Sequence, residues 1–455
     1  QFWLKISIAI NLGFLGIFKY YDFFITSFSE ALATLGLNVH PNTLNIILPV
    51  GISFYTFHGL SYVIDIYYDK IKAERDFINY GLFVSFFPLL VAGPIERATH
   101  LLPQIKQPRK FNYGKAVNGL RQILWGLFKK VVIADNCATL ANDIFNNYSH
   151  LSGSTLLLGA FYFTIQIYGD FSGYSDIALG TARLFGIELL RNFSFPYFSR
   201  DIAEFWRRWH ISLSSWLRDY LYIPLGGNKH GSFATWFFAV LFFGAIFFSS
   251  YELFHFSLIL SISITLAVLL IFLLPAIIKK DKTGISTNFN LLTTMLLGGL
   301  WHGASWNFII WGAMHGIALA IHKIWMLLTG RSFSGINSRW WYKGIMIFIS
   351  FHFVCFCWIF FKSNSMDDAM NMIWQITHDL SFSVWAAFFG NYKTVLVMIG
   401  LAAIMHSFPD NLADRMVLRL NQIPMPVYIA LFFVFVLIYG FFKSAEPVMP
   451  IYLQF

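Results

Sequence analysis

An all-α protein that crosses a membrane many times is what this sequence predicts, and three observations predict it. Apolar runs recur along the chain, several of them longer than the roughly 18 residues a helix needs to span a bilayer. Of 455 residues, 57% are hydrophobic, 19% aromatic and only 12% charged, with a mean hydropathy of +0.60, a balance foreign to soluble globular domains. The runs are continuous rather than alternating, which excludes an outer-membrane β-barrel. Three cysteines, Cys137, Cys355 and Cys357, leave no room for a disulfide framework or a metal finger. The net charge of +9 is gathered in a few segments, a pattern of membrane topology and phosphate contact rather than nucleic-acid binding.

Taken in order, residues 2–26 read as a first span with an aromatic end, and as a span rather than a cleavable leader. Residues 45–68 form the next, and 77–92 a third that stops at Gly93-Pro94. From Arg97 to Lys130 eight Lys and Arg residues face the single acid Glu96 beside them, so this stretch is expected on the cytoplasmic side. Residues 156–168 are apolar, then run into Asp170, Ser172, Tyr174, Ser175 and Asp176, groups that are costly at membrane depth unless paired or lining a cavity. Residues 183–229 are too basic to span, yet carry Trp206, Trp209, Trp216, Tyr220 and Tyr222, which favour the headgroup level. Interfacial or re-entrant helices are expected there. Residues 237–278 are long enough for two spans; the run from 291 through 316 forms one helix or more, and further spans follow at 340–361, 385–406 and 427–442. The total is roughly 10 to 12 spans, without repeat or soluble domain, so residues 1–455 read as one integral membrane domain.

Two stretches carry chemistry. In Leu300-Trp301-His302-Gly303-Ala304-Ser305-Trp306-Asn307, an imidazole sits inside a hydrocarbon-length run, where it needs a partner, a wet cavity or a task. On an unbroken helix Ser305 and Trp306 fall within about 60° of His302, whereas His315 lies about 140° away. Glycines 298, 299, 303, 312 and 316 invite a close approach by another helix or a thin substrate. In the second stretch, Glu204 to Tyr220, a helix places Arg207, His210, Ser214 and Leu217 on one face. A membrane-surface helix with Arg on anionic lipid explains that second pattern equally well.

Together, Phe205 to Gly227, Trp301-His302-Gly303, Trp311 to Gly316, the 49–57 and 168–176 stretches and Trp358 to Lys362 resemble the membrane-bound O-acyltransferase family. The branch resembled is the bacterial one that includes alginate and peptidoglycan O-acetylation and teichoic-acid D-alanylation proteins. The resemblance implies a ring of tilted helices around a central tunnel, with His302 as catalytic histidine and His210 as its partner. The 92-residue separation of the two histidines marks residues 237–278 as an expected inserted helix pair.

Moving an acyl group from thioester to hydroxyl needs a base and an oxyanion donor. His302 fits the base, since imidazole titrates near working pH. His210 or the Asn307 amide fits the donor. Arg207, Arg208, Trp209, Ser214 and Arg218, with Lys129 and Lys130, are candidate contacts of a phosphate-bearing donor. Asp170, Tyr174, Asp176, Trp301, Ser305 and Asn307 are candidate tunnel residues. No Gly-x-Ser-x-Gly elbow and no His-Glu-x-x-His motif occurs, so neither an acyl-enzyme serine nor a metal is expected. The implied donor is acetyl-CoA or another acyl thioester, with no permanently bound cofactor. The implied partners are membrane lipids and an extracytoplasmic esterase-like acetyltransferase, and the implied location is the bacterial cytoplasmic (inner) membrane. Acylation of a lipid, teichoic acid or protein hydroxyl, or transport, are the alternatives.

Overall fold

The computed structural model describes residues 1–34, 36–253, 256–279, 283–329, 339–381, 423–442 and 448–451, with scattered positions between 386 and 404. Among the described residues all regular structure is helical. The chain divides into two compact units, Gln1–Ser194 with Lys362–Phe455, and Phe195–Phe361.

In the first unit α1 (Phe2–Leu15) passes through a π-helical turn into α2 (Tyr21–Thr34), giving one apolar rod of 33 residues. Gly51, at φ +81°, starts α3 (Ile52–Tyr67), and a Cβ there would collide with the Leu90 carbonyl. Asp76 caps α4 (Phe77–Val84) by accepting from the Ile78 N–H. After α5 (Ala98–Lys106), α6 (Tyr113–Leu127) is capped by Asn112 and continues through a π-helical segment, Phe128–Ala134, into α7 (Asp135–Asn146). The 32-residue α8 (Gly153–Leu184) is the axis of this unit. It runs antiparallel to α6 on a reciprocal glycine seam: Gly119 faces the Gly180 carbonyl and Gly126 the Gly173 carbonyl, with no room for a Cβ on either side.

The second unit opens with two short helices, α9 (Ile202–Arg208) and α10 (Ile211–Leu217), and a π-helical turn, Arg218–Tyr222. The paired apolar helices α11 (Phe233–Phe248) and α12 (Leu258–Lys279) follow, where residues 237–278 read as two spans. Next come α13 (Thr283–His302), α14 (Trp306–Thr329) and α15 (Trp340–Lys362). The chain then returns to the first unit with α16 (Met366–His378) and α17 (Met425–Phe442). Among the described residues four helices, Phe2–Thr34, Phe233–Tyr251, Trp306–Thr329 and Trp340–Lys362, are long and apolar enough to cross a membrane, and three shorter apolar helices accompany them. The expected span at 385–406 lies largely outside the described residues.

Candidate active site

His302 is the last residue of α13, and residues 303–305 are not helical. The run from 291 through 316 is therefore two helices, not the single one on which the angles between its residues are drawn. Gly303 causes the break: a Cβ there would run into the Phe308 ring, while Ser305 restarts the chain as a cap, its Oγ accepting from the Asn307 N–H at 3.3 Å. Helices α13 and α14 therefore fold back on one another as a hairpin. The glycines serve that fold, since a Cβ at Gly299 would strike the Phe308 carbonyl and one at Gly312 the Met295 carbonyl. The close approach expected from these glycines is thus made by the two halves of the segment itself.

Reversal of the chain also undoes the helical-wheel separation of His302 and His315. Trp311 stands between them, its ring centroid 5.1 Å from His302 and 4.7 Å from His315. His302, only 7% exposed, is further enclosed by Trp301 at 4.9 Å and Phe361 at 5.4 Å. Trp301 and His302 are both buried, as is Asn307 in the first turn of α14, whereas Ser305 is half-buried.

His210 corrects a second expectation. It does not share a helical face with Arg207, Ser214 and Leu217, because α9 ends at Arg208 and His210 takes a left-handed conformation, φ 43° and ψ 55°. A residue with a Cβ adopts that backbone only at a cost of order 1–3 kcal/mol, which the surroundings must offset. The His210 carbonyl accepts from the Ser214 N–H, and the Trp209 carbonyl accepts from the Ser214 hydroxyl at 3.3 Å. Trp209 itself is stacked on Phe205 at 5.6 Å and touches Trp358 at 5.2 Å. The turn aims a fully buried His210 edge-on at Trp301, centroids 6.1 Å apart. His210, Trp301 and His302 are thus brought together.

A cavity of about 870 Å³ opens beside them in the same unit. Arg207, Ser214 and Arg218 line it, together with Trp206, Ser215, Thr287, Thr294, His322 and Lys323. Neither His302 nor His210 lines it; Trp206 touches both the cavity and the aromatic cluster, through Trp311 at 5.7 Å. Arg207 is exposed, while Arg218 pairs with Asp219 at 2.8 Å. Arg208 instead joins Arg200 on Glu204, at 2.7 and 2.8 Å. Burial pushes the Glu204 carboxyl up, but the Arg200 hydrogen bonds and the Arg208 charge outweigh it and hold the group below the usual carboxylate range.

The remaining candidates lie in the first unit. Asp170 and Asp176 stand on α8, where the polar string continues the helix without a break. Lys130 bridges Asp170 at 2.5 Å and Asp135 at 2.7 Å, and Asp170 also accepts from the Ile451 N–H at 2.8 Å. Lys129 pairs with Asp176 at 2.5 Å, and Gln122 donates to the same carboxylate. Both lysines are ion-paired with these carboxylates, in the unit that does not hold the cavity. Tyr174 is half-buried on the same helix.

Sequence reasoning missed Trp206, Trp311 and Asn290. The buried Asn290 donates to the carbonyls of Gly227 and His230 at 2.8 Å each and accepts from Thr235, so α13 clamps the turn beneath the cavity. Two asparagines, Asn288 and Asn290, at the head of an apolar run were the signal available. Among the described residues no cluster of His, Cys, Asp and Glu could hold a metal ion.

A model of the membrane-bound O-acyltransferase (MBOAT) family matches residues 68–273, a stretch that holds His210 and ends before His302. The probable alginate O-acetylase AlgI of Azotobacter vinelandii is 36% identical over 372 residues, 82% of this chain and 62% of that protein. The peptidoglycan O-acetyltransferase of Helicobacter pylori is 34% identical over 399 residues, covering 82% and 64% respectively. The teichoic acid D-alanyltransferase of Bacillus subtilis is 25% identical over 322 residues, covering 70% and 69%. The chain spans about three fifths of the length of the alginate and peptidoglycan relatives. With these likenesses and its membrane-capable helices, the chain belongs to the membrane-bound O-acyltransferase family.

Proposed function

We propose that this chain is the transfer core of an O-acetyltransferase of the bacterial cytoplasmic membrane that modifies an extracytoplasmic polysaccharide. The observation that carries the reading is the buried His302, set in a break between two helices and grouped with His210 around Trp301. An imidazole at such a break costs stability unless it has work to do, and the names of the alginate and peptidoglycan relatives supply the kind of work.

In this reading the donor is acetyl-CoA or another acyl thioester, its phosphates held at the basic rim of the cavity by Arg207 and Arg218. His302 takes the proton of an acceptor hydroxyl as that oxygen attacks the thioester carbonyl. The carbonyl electron pair moves to oxygen, where His210 or the Asn307 amide donates a hydrogen bond. When the tetrahedral intermediate collapses, the carbon–sulfur bond breaks and the thiolate receives the proton from His302. The acceptor is a polysaccharide hydroxyl or the hydroxyl of an esterase-like partner that completes the transfer outside the cell.

The test is acetyl transfer from radiolabelled acetyl-CoA in proteoliposomes, with a candidate partner on the far side. Parent protein is expected to move label; His302→Ala is expected to lose at least 100-fold, the scale of general-base removal, and His210→Ala about 10-fold or more. Equal movement of label by folded His302→Ala defeats this assignment. Acylation of lipid by purified protein alone defeats the polysaccharide acceptor.

A further inference from the structure

We infer that His315 is a positioning residue for acyl transfer: through its hydrogen bond with Trp206 it fixes the wall between the cavity and His302. The inference rests on the acyl-transfer reading above. His315 is fully buried, one helical turn beyond Trp311 on α14, where residues four apart share a face. That face meets α9. The Trp206 Nε1–H points at His315 Nδ1 at 3.3 Å, and the rings lie 5.2 Å apart, edge to face. Phe205 stacks on the imidazole at 6.0 Å and Phe353 closes another side at 5.7 Å.

An indole nitrogen can only donate, so His315 Nδ1 must be an acceptor and the proton of the neutral ring resides on Nε2. The arrangement has two consequences. The lone pair of His315 is already used, which leaves it unsuited to be the base and leaves that role to His302. The indole of Trp206, which lines the cavity and also touches Trp311, is fixed in rotation by a single acceptor. Trp311 in turn packs on His302 at 5.1 Å. Loss of that acceptor strands a buried N–H, and the indole must turn to find another. Its movement displaces the aromatic wall against which His302 is held, while the basic residues of the cavity rim stay in place.

The experiment compares His315→Phe, which keeps the ring and removes the acceptor, with His315→Asn, whose amide oxygen occupies about the position of Nδ1. With acetyl-CoA as donor and folded protein quantified by monodisperse gel filtration, His315→Phe is expected to lose 10-fold or more in kcat with the donor KM within about 2-fold. His315→Asn is expected to recover most of the loss. A group that only maintains the fold would lower the yield of folded protein and leave kcat per folded molecule unchanged. That result, or Asn performing no better than Phe, overturns the inference. If His315→Phe does not fold, Trp206→Phe removes the same bond from its other end and is expected to give the same kcat loss; full kcat there overturns it too. A parent protein that transfers no acetyl defeats the acyltransferase reading itself, an outcome distinct from an active parent with indifferent His315 variants.

Discussion

His210 and His302 owe their placement to backbone breaks, one a left-handed turn and the other a glycine, and the smallest test of the site is at Gly303. Alanine there must displace the Phe308 ring, which is itself packed on Phe361 at 4.8 Å. Overpacking of this kind costs about 1–3 kcal/mol, so Gly303→Ala is expected to lower the thermal midpoint in detergent and to reduce transfer activity together. A second test at this scale concerns His100 in the basic segment. Its Nδ1 lies 2.7 Å from the buried Glu96 carboxylate, and that hydrogen bond, against the opposing effect of burial, raises the proton affinity of the imidazole. A group whose pKa is raised on folding stabilises fully below its unfolded value, near pH 6.5, and loses that contribution as pH climbs through the raised value. His100→Gln should therefore destabilise more at acid than at alkaline pH, as read by thermal melts across that range. A constant difference at all pH values would show that the pair is not ionic.

Among the elements, the hairpin of α13 and α14 is the least forgiving. Gly299→Ala or Gly312→Ala sets a methyl group against a backbone carbonyl, which cannot rotate away as a side chain can. Each is expected to deplete folded protein more than Gly303→Ala does, measured as the monodisperse fraction after solubilisation. Helix content and the apolar runs were legible from hydropathy alone, and so were the glycine-rich stretch and both histidines. The breaks were not. A periodic wheel assumes one axis, and Gly303 and His210 each replace one axis with two; nothing in spacing distinguishes a glycine that lets a neighbour in from one that lets the chain turn back. The same assumption hid His315, which a continuous helix would carry far from His302. The ion pairs of Lys129 and Lys130 were hidden for a different reason: Asp176 and Asp170 stand far along the chain from them, and of their partners Asp135 alone is a near neighbour in sequence.

At the scale of the whole molecule, charge distribution carries the most information. The basic segments around Lys115 and Lys229 obey one rule of topology and should face the same compartment. Single cysteines placed at these exposed positions are expected to react with an impermeant maleimide only from the cytoplasmic face. The native Cys137, Cys355 and Cys357 are buried and should remain silent in the assay. Labelling of either new cysteine from outside would reverse the orientation and with it the side from which a thioester could arrive.

One helix carries two separable surfaces. On α13, Leu292 and Gly299 meet the returning arm of the hairpin, Thr287, Leu291 and Thr294 look into the cavity, and Met295 does both. Shape of the chamber can thus drift without disturbing the seam that holds the imidazole. A library randomised at Thr287, Leu291 and Thr294 should be rich in folded proteins with altered acyl-group preference, and one randomised at Leu292 and Gly299 should be nearly empty. In an evolving lineage, that division would let the chamber diversify while the hairpin that carries His302 stays constant.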